Sequence, residues 1–195
     1  MCKKNEENIK KLIKKYENEL LINPIYSSSW INQAAKIMAE FDQQESFLKP
    51  FNTEQLEVIY DALKFINDNG SRYIDINDIA NPAFNATQMR LILTGYIRDI
   101  PVEILAKFVG PTMSYAKSNY LIQAYIDGFD MSDYINYNHE QIYEIYAGFI
   151  NKVDFKLYDK SYIPSKVMGL IRHALEIGIE SVSYDQHNKV LQFKV

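Results

Sequence analysis

Apolar residues recur along much of the chain at the spacing of a single helix face. Three such stripes consist of Leu56, Ile59 and Leu63, of Met89, Ile92 and Tyr96, and of Ile142, Ile145 and Phe149. Each stripe predicts a long α-helix that buries one side. A small residue, Ala62, Gly95 or Gly148, follows the central isoleucine by three positions. We interpret this small residue as a close packing contact with a neighbouring helix.

Nearly the same six letters precede each stripe: FNTEQL, FNATQM and YNHEQI. An asparagine followed three positions later by glutamine is the pattern of a capping box, in which each side chain bonds the other residue's backbone N–H. The aromatic residue before the asparagine and the apolar residue after the glutamine fit a hydrophobic staple. The predicted pairs are Asn52 with Gln55, Asn85 with Gln88, and Asn138 with Gln141. In two further copies, Ser114 and Ser165 stand near the asparagine position.

A shorter pattern follows each long helix, and it predicts a short helix of one or two turns. It reads IDINDI, FDMSDY, VDFKLY and IESVSY, and one copy, IPVEIL, has proline in place of the acid. The reference positions Asp75, Pro101, Asp130, Asp154 and Glu180 are separated by 26, 29, 24 and 26 residues. Such a period is typical of stacked units that bury a common core. The sequence therefore predicts an all-α helical repeat of about five units, each a long helix plus a short one.

The segments on either side of the repeats carry different patterns. An amphipathic helix around Ile9 to Leu21 is expected to stop at Asn23-Pro24, and a second helix carrying Trp30 is expected to follow the serine cluster at 27–29. Near the other end, alternation around His187-Asn188 predicts a small β-hairpin. We assign residues 1–50 to an N-terminal helical cap, 51–186 to the repeat array and 187–195 to a C-terminal tail or strand.

Three longer strings of the repeat array resemble a known degenerate repeat. ANPAFNATQMRLILTGY, YNHEQIYEIYAGF and IRHALEIGIESVSY are similar to the pattern F-N-x-x-Q-M-x-x-I-R-x-G-L-x-x-G-V-D-V-S-x-Y-A-x-P-x-F of proteins from Firmicutes phages and integrative mobile elements. The resemblance covers about 135 of the 195 residues. The arginine of that pattern survives only at Arg172, and its counterparts are Tyr60, Leu93, Ile122 and Tyr146. The resemblance implies a mobile-element context, in which small proteins often inhibit host defence, and it implies no catalytic residues.

Composition and charge narrow the classes of protein further. A hydrophobic fraction of 47% is enough for a real core, and the net charge of -4 argues against a global attraction to nucleic acid. Residues 1–15 carry six lysines against Glu6 and Glu7, a net +4 that leaves -8 for the remainder. This acidic remainder predicts a basic partner surface. A lone cysteine, Cys2, and the lack of a membrane span or of a signal-peptide core predict a cytosolic protein. The mobile-element resemblance implies that this cytoplasm is that of a bacterial host cell.

Several patterns resemble parts of known catalytic or metal sites. The segment beginning at His139 begins like H-E-x-x-H, but Tyr143 replaces the second histidine. A calcium loop centred on Gly70 would begin at Phe65 and end at Ile76, although oxygen donors are needed there. Asp127, Asp130 and Asp133 suggest a carboxylate cluster, but Asp130 shares the repeat position of helix-capping acids. His173 is typical of a surface or hydrogen-bonded histidine. We therefore predict no catalytic residue, cofactor or metal.

The 15 tyrosines suggest how the protein functions. Tyr134, Tyr158 and Tyr184 share one repeat position and are predicted to be core. Tyr120, Tyr143 and Tyr146 lie beside or off the stripes and are predicted to be exposed. Tyrosine supplies contact area at low entropic cost, so we assign these three residues, together with Asp127 and Glu144, to a partner-binding surface.

The resulting hypothesis is a non-catalytic protein-binding module that inhibits a bacterial defence system, as an anti-CRISPR protein does. It would act by covering the basic surface of a host protein such as a nuclease. One alternative is a nucleic-acid-associated accessory protein that uses the basic strip Lys10, Lys11, Lys14 and Lys15. Another alternative is an enzyme whose site has no recognised motif.

Overall fold

The computed structural model describes residues 6–22, 25–69, 74–179 and 181–194. This part of the chain is mostly helical and ends in a two-stranded antiparallel sheet, which confirms the predicted all-α class with a C-terminal hairpin. Its α-helices are α1 (Glu6–Leu20), α2 (Ser28–Phe41), α3 (Glu45–Leu48), α4 (Thr53–Asn69), α5 (Ile76–Ile79), α6 (Ala86–Ile97), α7 (Val102–Phe108), α8 (Tyr115–Ile126), α9 (His139–Ile150) and α10 (Ser165–Glu176). Its other elements are two 3-10 helices, Ser132–Tyr134 and Phe155–Leu157, and the strands β1 (Ser181–Asp185) and β2 (Val190–Lys194).

The chain divides into two compact units, Met1–Tyr96 and Ile97–Val195. The division falls at the C-terminal end of α6, within the predicted repeat array. The assignment of residues 1–50, 51–186 and 187–195 to separate segments stays a prediction.

In the first unit, α2 packs against both α1 and α4. The hydroxyl of Ser27 accepts the backbone N–H of Trp30 at 3.2 Å and so caps α2. The Trp30 indole in turn donates to the carbonyl of Phe51 at 2.8 Å, which ties the start of α2 to the start of α4. Both predicted N-terminal helices are present, and the expected stop of α1 at Asn23-Pro24 lies outside the described residues.

All three predicted capping boxes form. The glutamine Oε1 accepts the asparagine N–H at 2.8, 2.9 and 3.2 Å, and the asparagine Oδ1 accepts the glutamine N–H at 2.9, 2.9 and 2.8 Å, in the pairs Asn52–Gln55, Asn85–Gln88 and Asn138–Gln141 respectively. The apolar residues that follow the glutamines, Leu56, Met89 and Ile142, are fully buried. The repeated letters therefore start α4, α6 and α9 and also place the first core residue of each helix.

The two serine starts differ from each other. Ser114 caps α8 by accepting the backbone N–H of Lys117 at 3.4 Å. Ser165 does not cap α10, because Pro164 occupies the cap position and offers no side-chain acceptor. Ser165 is the first residue inside the helix, and its hydroxyl donates to Glu140 instead.

Short helices follow four of the long helices, as predicted, and their acids form tight turns. Asp75, Asp130 and Asp154 each accept a backbone N–H two residues further on, at 2.9, 2.9 and 3.1 Å. The fifth predicted short helix, at IESVSY, is wrong because Ser181–Asp185 forms β1 and pairs with β2. Its acid, Glu180, lies outside the described residues.

The hairpin turn is stabilised by Asp185, whose carboxylate accepts the backbone N–H groups of His187 and Asn188 at 2.9 and 3.1 Å. Cross-strand hydrogen bonds hold β1 and β2 together in an antiparallel register that places Val182 opposite Phe193. Because β1 also packs against α10, the hairpin closes the C-terminal end of the second unit.

In the second unit, α9 packs against both α8 and α10. Tyr134 and Tyr158 are buried, as predicted, whereas Tyr184 is only half-buried. Gly148 was expected to admit a neighbouring helix, but the group that approaches it is the Tyr158 ring, and a Cβ at position 148 would overlap the tyrosine hydroxyl. That hydroxyl donates to the carbonyl of Glu144 at 3.1 Å, so the glycine makes room for a side chain that holds α9.

Candidate protein-binding surface

The five predicted partner-binding residues meet along the seam between α8 and α9. Tyr120 lies on α8 and Asp127 directly follows it, while Tyr143, Glu144 and Tyr146 lie on α9. The structure separates them into two groups. Tyr120, Tyr143 and Glu144 line one pocket, and Tyr146 pairs with Asp127.

We call the first feature the tyrosine pocket. It has a volume of about 360 Å³ and lies among α8, α9 and α10, with a lining of Tyr120, His139, Glu140, Tyr143, Glu144, Ser165 and Lys166. The rings of Tyr120 and Tyr143 have their centroids 5.4 Å apart and their planes inclined by 49°. Of the three tyrosines predicted to be exposed, Tyr143 is 42% exposed, so a large part of its surface is available to a partner, whereas Tyr120 and Tyr146 are half-buried.

One lining residue of the tyrosine pocket, Glu144, takes part in an ion pair between helices. Arg172 on α10 donates from Nε to Glu144 on α9 at 2.8 Å and from Nη1 to Glu176 at 2.5 Å. Burial opposes the charge of Arg172, but its bonds to the two carboxylates outweigh this effect and raise its pKa. Gly169 lies directly against Glu144, since a Cβ at 169 would be 3.0 Å from Oε1. Much of the charge of Glu144 is therefore compensated by Arg172.

The second carboxylate of the pocket is in a different environment. Glu140, in the first turn of α9, accepts the hydroxyl of Ser165 at 2.6 Å. This donor is neutral, so it orients the carboxylate without cancelling its charge. The neighbouring Lys166 is exposed and supplies the single ammonium of the lining, against two carboxylates.

Tyr146 and Asp127 form a tie between α8 and α9. The Tyr146 hydroxyl donates to Asp127, which also accepts Gln123 Nε2 at 3.3 and 3.4 Å. Burial and the adjacent carboxylate raise the pKa of Tyr146 to about 12, so the phenol remains a neutral donor at physiological pH. Both side chains are engaged within the protein and stabilise the seam next to the pocket.

The residues that resemble metal ligands in the sequence do not form a metal site among the described residues. Within residues 6–22, 25–69, 74–179 and 181–194, no group of three or more His, Cys, Asp or Glu side chains is arranged to hold a metal ion. Asp130 accepts both the backbone N–H and the hydroxyl of Ser132, as expected for a capping acid. The exposed His173 lies 3.7 Å from Glu176, and Gly70, the centre of the supposed calcium loop, is outside the described residues.

The basic strip on α1 is partly neutralised by acids of the same helix. Lys11 pairs with Glu7 at 3.1 Å and Lys15 pairs with Glu19 at 3.7 Å. All four side chains are exposed, so these pairs contribute little to stability but reduce the net field of the strip.

Sequence reasoning missed a buried acid, Asp159, which is only 8% exposed. Its carboxylate accepts the Tyr134 hydroxyl at 2.7 Å and lies 2.8 Å from Lys160 Nζ and 3.1 Å from Lys156 Nζ. Burial opposes its ionisation, but these hydrogen bonds outweigh burial and lower the pKa of Asp159. Asp159 comes directly after the motif VDFKLY, at a position that the repeat pattern does not mark, so the pattern could not identify it.

Four pocket residues also escaped the sequence-based choice of partner-binding residues: His139, Glu140, Ser165 and Lys166. Their proximity depends on how α9 and α10 are aligned, which brings residues 140 and 165 together. The only signal in the sequence was the repeat period of about 26 residues, because residues one period apart lie at equivalent places on adjacent helices.

No helix in the described part of the chain has the length and apolar character needed to cross a membrane. Comparison with protein-family models, curated proteins and solved structures finds no match to this chain. A functional proposal therefore depends on the tyrosine pocket and its charges.

Proposed function

We propose that this chain is a non-catalytic protein-binding module that contacts its partner through the tyrosine pocket. The observation that carries the proposal is the pair Tyr120 and Tyr143, which stand 5.4 Å apart on two helices, with Tyr143 exposed. Tyrosine is enriched at interfaces because its large, stiff ring buries area while losing few rotamers. Placing both rings on helices lowers the entropic cost of binding further, since the surface is ordered beforehand.

The proposed partner is a host protein with a basic surface, such as a nuclease, and the proposed role is inhibition of a bacterial defence system in the cytoplasm. Two features support this choice. The chain after residue 15 carries a net charge of -8, and its repeats resemble those of phage and mobile-element proteins. Opposite charge would steer the two proteins together, and the bound module would then cover the partner's working surface.

A protein partner is favoured over nucleic acid by the state of the basic strip. Lys11 and Lys15 already pair with glutamates of α1, which lowers the positive potential that would attract phosphates. The tyrosine pocket lies in a different compact unit from α1 and has more carboxylates than ammonium groups.

The direct test is affinity capture from a bacterial host lysate, followed by mass spectrometry and by measurement of Kd with the purified partner. We expect wild type to capture a basic protein that Tyr143→Ala binds at least about tenfold more weakly, as for a central interface tyrosine. The matched control is Tyr115→Ala. Tyr115 is 50% exposed and lies on α8 five residues before Tyr120, roughly 140° around the helix.

Equal binding by wild type and Tyr143→Ala would refute the pocket as the contact surface. Binding of nucleic acid that disappears at modest salt, and also on deletion of residues 1–15, would support the accessory-protein alternative instead. Circular dichroism of each variant shows whether a loss of binding reflects a loss of fold.

A further inference from the structure

The tyrosine pocket has the size of a site for one long side chain. Its volume of about 360 Å³ is near the lower end of the roughly 300–1,000 Å³ range for ligand pockets. Two aromatic rings form part of the lining, and their faces carry the negative side of the ring quadrupole. A cation placed over such a face is attracted to it, and a planar guanidinium can also stack on it.

The carboxylates of the pocket favour the same kind of guest. Within the described part of the chain, the donor that Glu140 accepts is a neutral hydroxyl, that of Ser165. An ionised carboxylate has about four acceptor positions, so Glu140 can receive further donors from a guest. Arginine presents paired N–H donors that match a carboxylate, whereas lysine presents a compact ammonium without that planar match.

One lining residue, Lys166, opposes a cationic guest. Its removal therefore tests whether the pocket binds a cation or an anion. Lys166 is exposed at the start of α10, next to Ser165, and its ammonium would repel a guanidinium. An anionic guest would reverse both signs, since it would gain from Lys166 and lose from Glu140.

From this arrangement we infer that the tyrosine pocket binds an arginine side chain of the partner, with the guanidinium against Tyr120 and Tyr143 and paired with Glu140. The inference rests on the proposed function and adds the chemistry of the contacting group. It predicts that the recognised surface of the partner presents an arginine that can reach into a concave site.

The test uses the full chain and a small probe, so it does not depend on identifying the partner. Amide NMR spectra are recorded while Nα-acetyl-arginine amide is added, and Nα-acetyl-citrulline amide serves as the neutral control of the same shape. We expect saturable shifts around Tyr143 and Glu140 with the arginine probe and none with the citrulline probe.

Two charge variants test whether the pocket prefers a positively charged guest. Glu140→Gln should weaken the arginine probe by about two- to fivefold, and Lys166→Gln should strengthen it by a similar factor, as expected for partly exposed charges. The spectra themselves show that each variant is folded. No saturable shift, shifts located elsewhere, or a weaker complex with Lys166→Gln would each overturn the inference.

These outcomes separate the inference from the proposed function. If the partner requires Tyr143 but the arginine probe does not bind, the surface is correct and the guest is not arginine. If the probe binds in the pocket but the partner tolerates Tyr143→Ala, the pocket recognises arginine and the proposed contact surface is wrong.

Discussion

Replacing Gln141 by glutamate tests how one repeat is joined to the next. Besides closing its capping box, the Gln141 side chain donates from Nε2 to the carbonyls of Ser161 and Ile163 at 3.0 and 2.8 Å. These carbonyls belong to the segment just before α10. Gln55 does the same in the first unit, where its Nε2 donates to the carbonyl of Phe84 at 2.6 Å. The side chain therefore caps its own helix and also fixes the start of the following one.

The substitution keeps the shape of the side chain but replaces the donor with a carboxylate oxygen. Two hydrogen bonds of about 1 kcal/mol each are lost, and the buried Ile163 carbonyl loses its partner, which costs roughly another 1–3 kcal/mol. The cap itself survives, because Asn138 can still donate to the remaining oxygen. We expect the free energy of unfolding to fall by about 3–5 kcal/mol at neutral pH.

The effect should depend on pH with a defined sign. Gln141 is only 6% exposed, so a carboxyl group at this position would be desolvated and its pKa would be raised. A raised pKa means that the protonated acid, which can donate one hydrogen bond, is favoured in the folded state. The variant is then most stable below the unfolded pKa of about 4.3 and loses stability as pH rises through the folded pKa.

Urea unfolding followed by far-UV circular dichroism, at neutral pH and at about pH 5, measures both effects. Gln192→Glu is the matched control, because Gln192 is exposed on β2 and its change should stay within about 0.5 kcal/mol. A loss below about 1 kcal/mol at neutral pH, or a gap from wild type that is the same at both pH values, would contradict the proposed double role of the glutamine.

Three other substitutions test separate parts of the second unit. Gly148→Ala should lower stability by about 2–3 kcal/mol despite the better helix propensity of alanine, because the new methyl group overlaps the Tyr158 hydroxyl. Gly110→Ala should be nearly neutral in the same denaturation assay, because its new methyl group would make an ordinary contact, 4.0 Å from Met113 Cβ. Ser118→Ala should raise the melting temperature and increase the free energy of unfolding by about 1 kcal/mol. The reason is that Ser118 Oγ is the buried side-chain oxygen that lacks a hydrogen-bond partner among the described residues. A lower melting temperature would show that the hydroxyl has a partner. Asp159→Asn should cost about 1–3 kcal/mol at neutral pH. Since the pKa of Asp159 is lowered in the folded protein, this contribution is present above the unfolded pKa of about 4 and is lost as pH falls through the folded pKa, so wild type and variant should converge in acid unfolding.

The sequence could predict the helix starts because capping is local. The two members of a capping box are three residues apart, and all three boxes form where the letters place them. The second role of the glutamine could not be predicted in the same way. Its acceptors lie 20 to 29 residues further along the chain, and they are backbone carbonyls that no residue type marks.

The fifth copy shows how a matching pattern can lead to a different structure. IESVSY matches the spacing of acid and apolar residues in the short helices, but Val182 and Tyr184 also alternate with serines, as in a strand. The segment just beyond it supplies β2 as a pairing partner, and Asp185 supplies the turn. Tertiary pairing therefore decided between two readings that were both consistent with the local sequence.

One repeat position accounts for much of the polar contact between neighbouring helices. Tyr60, Tyr146 and Arg172 all occupy the same repeat position in this chain, and each donates to a carboxylate on, or directly after, the preceding long helix. The acceptors are Glu40, Asp127 and Glu144. Tyrosine can replace arginine here because the contact needs a long donor, and the phenol remains protonated: burial and Glu40 raise the pKa of Tyr60 to about 12.

Because some carboxylates join neighbouring helices, they are less able to bind a partner. Asp127 and Glu144 were both predicted to bind a partner, but each already accepts a donor that holds two helices together, and displacing that donor would weaken the helix packing. Glu140 is oriented by the neutral Ser165 hydroxyl and keeps its charge at the edge of the tyrosine pocket. A cationic group can approach Glu140 without breaking any ion pair of the fold. The acid best placed for recognition is therefore the one that the repeat does not use to join its helices.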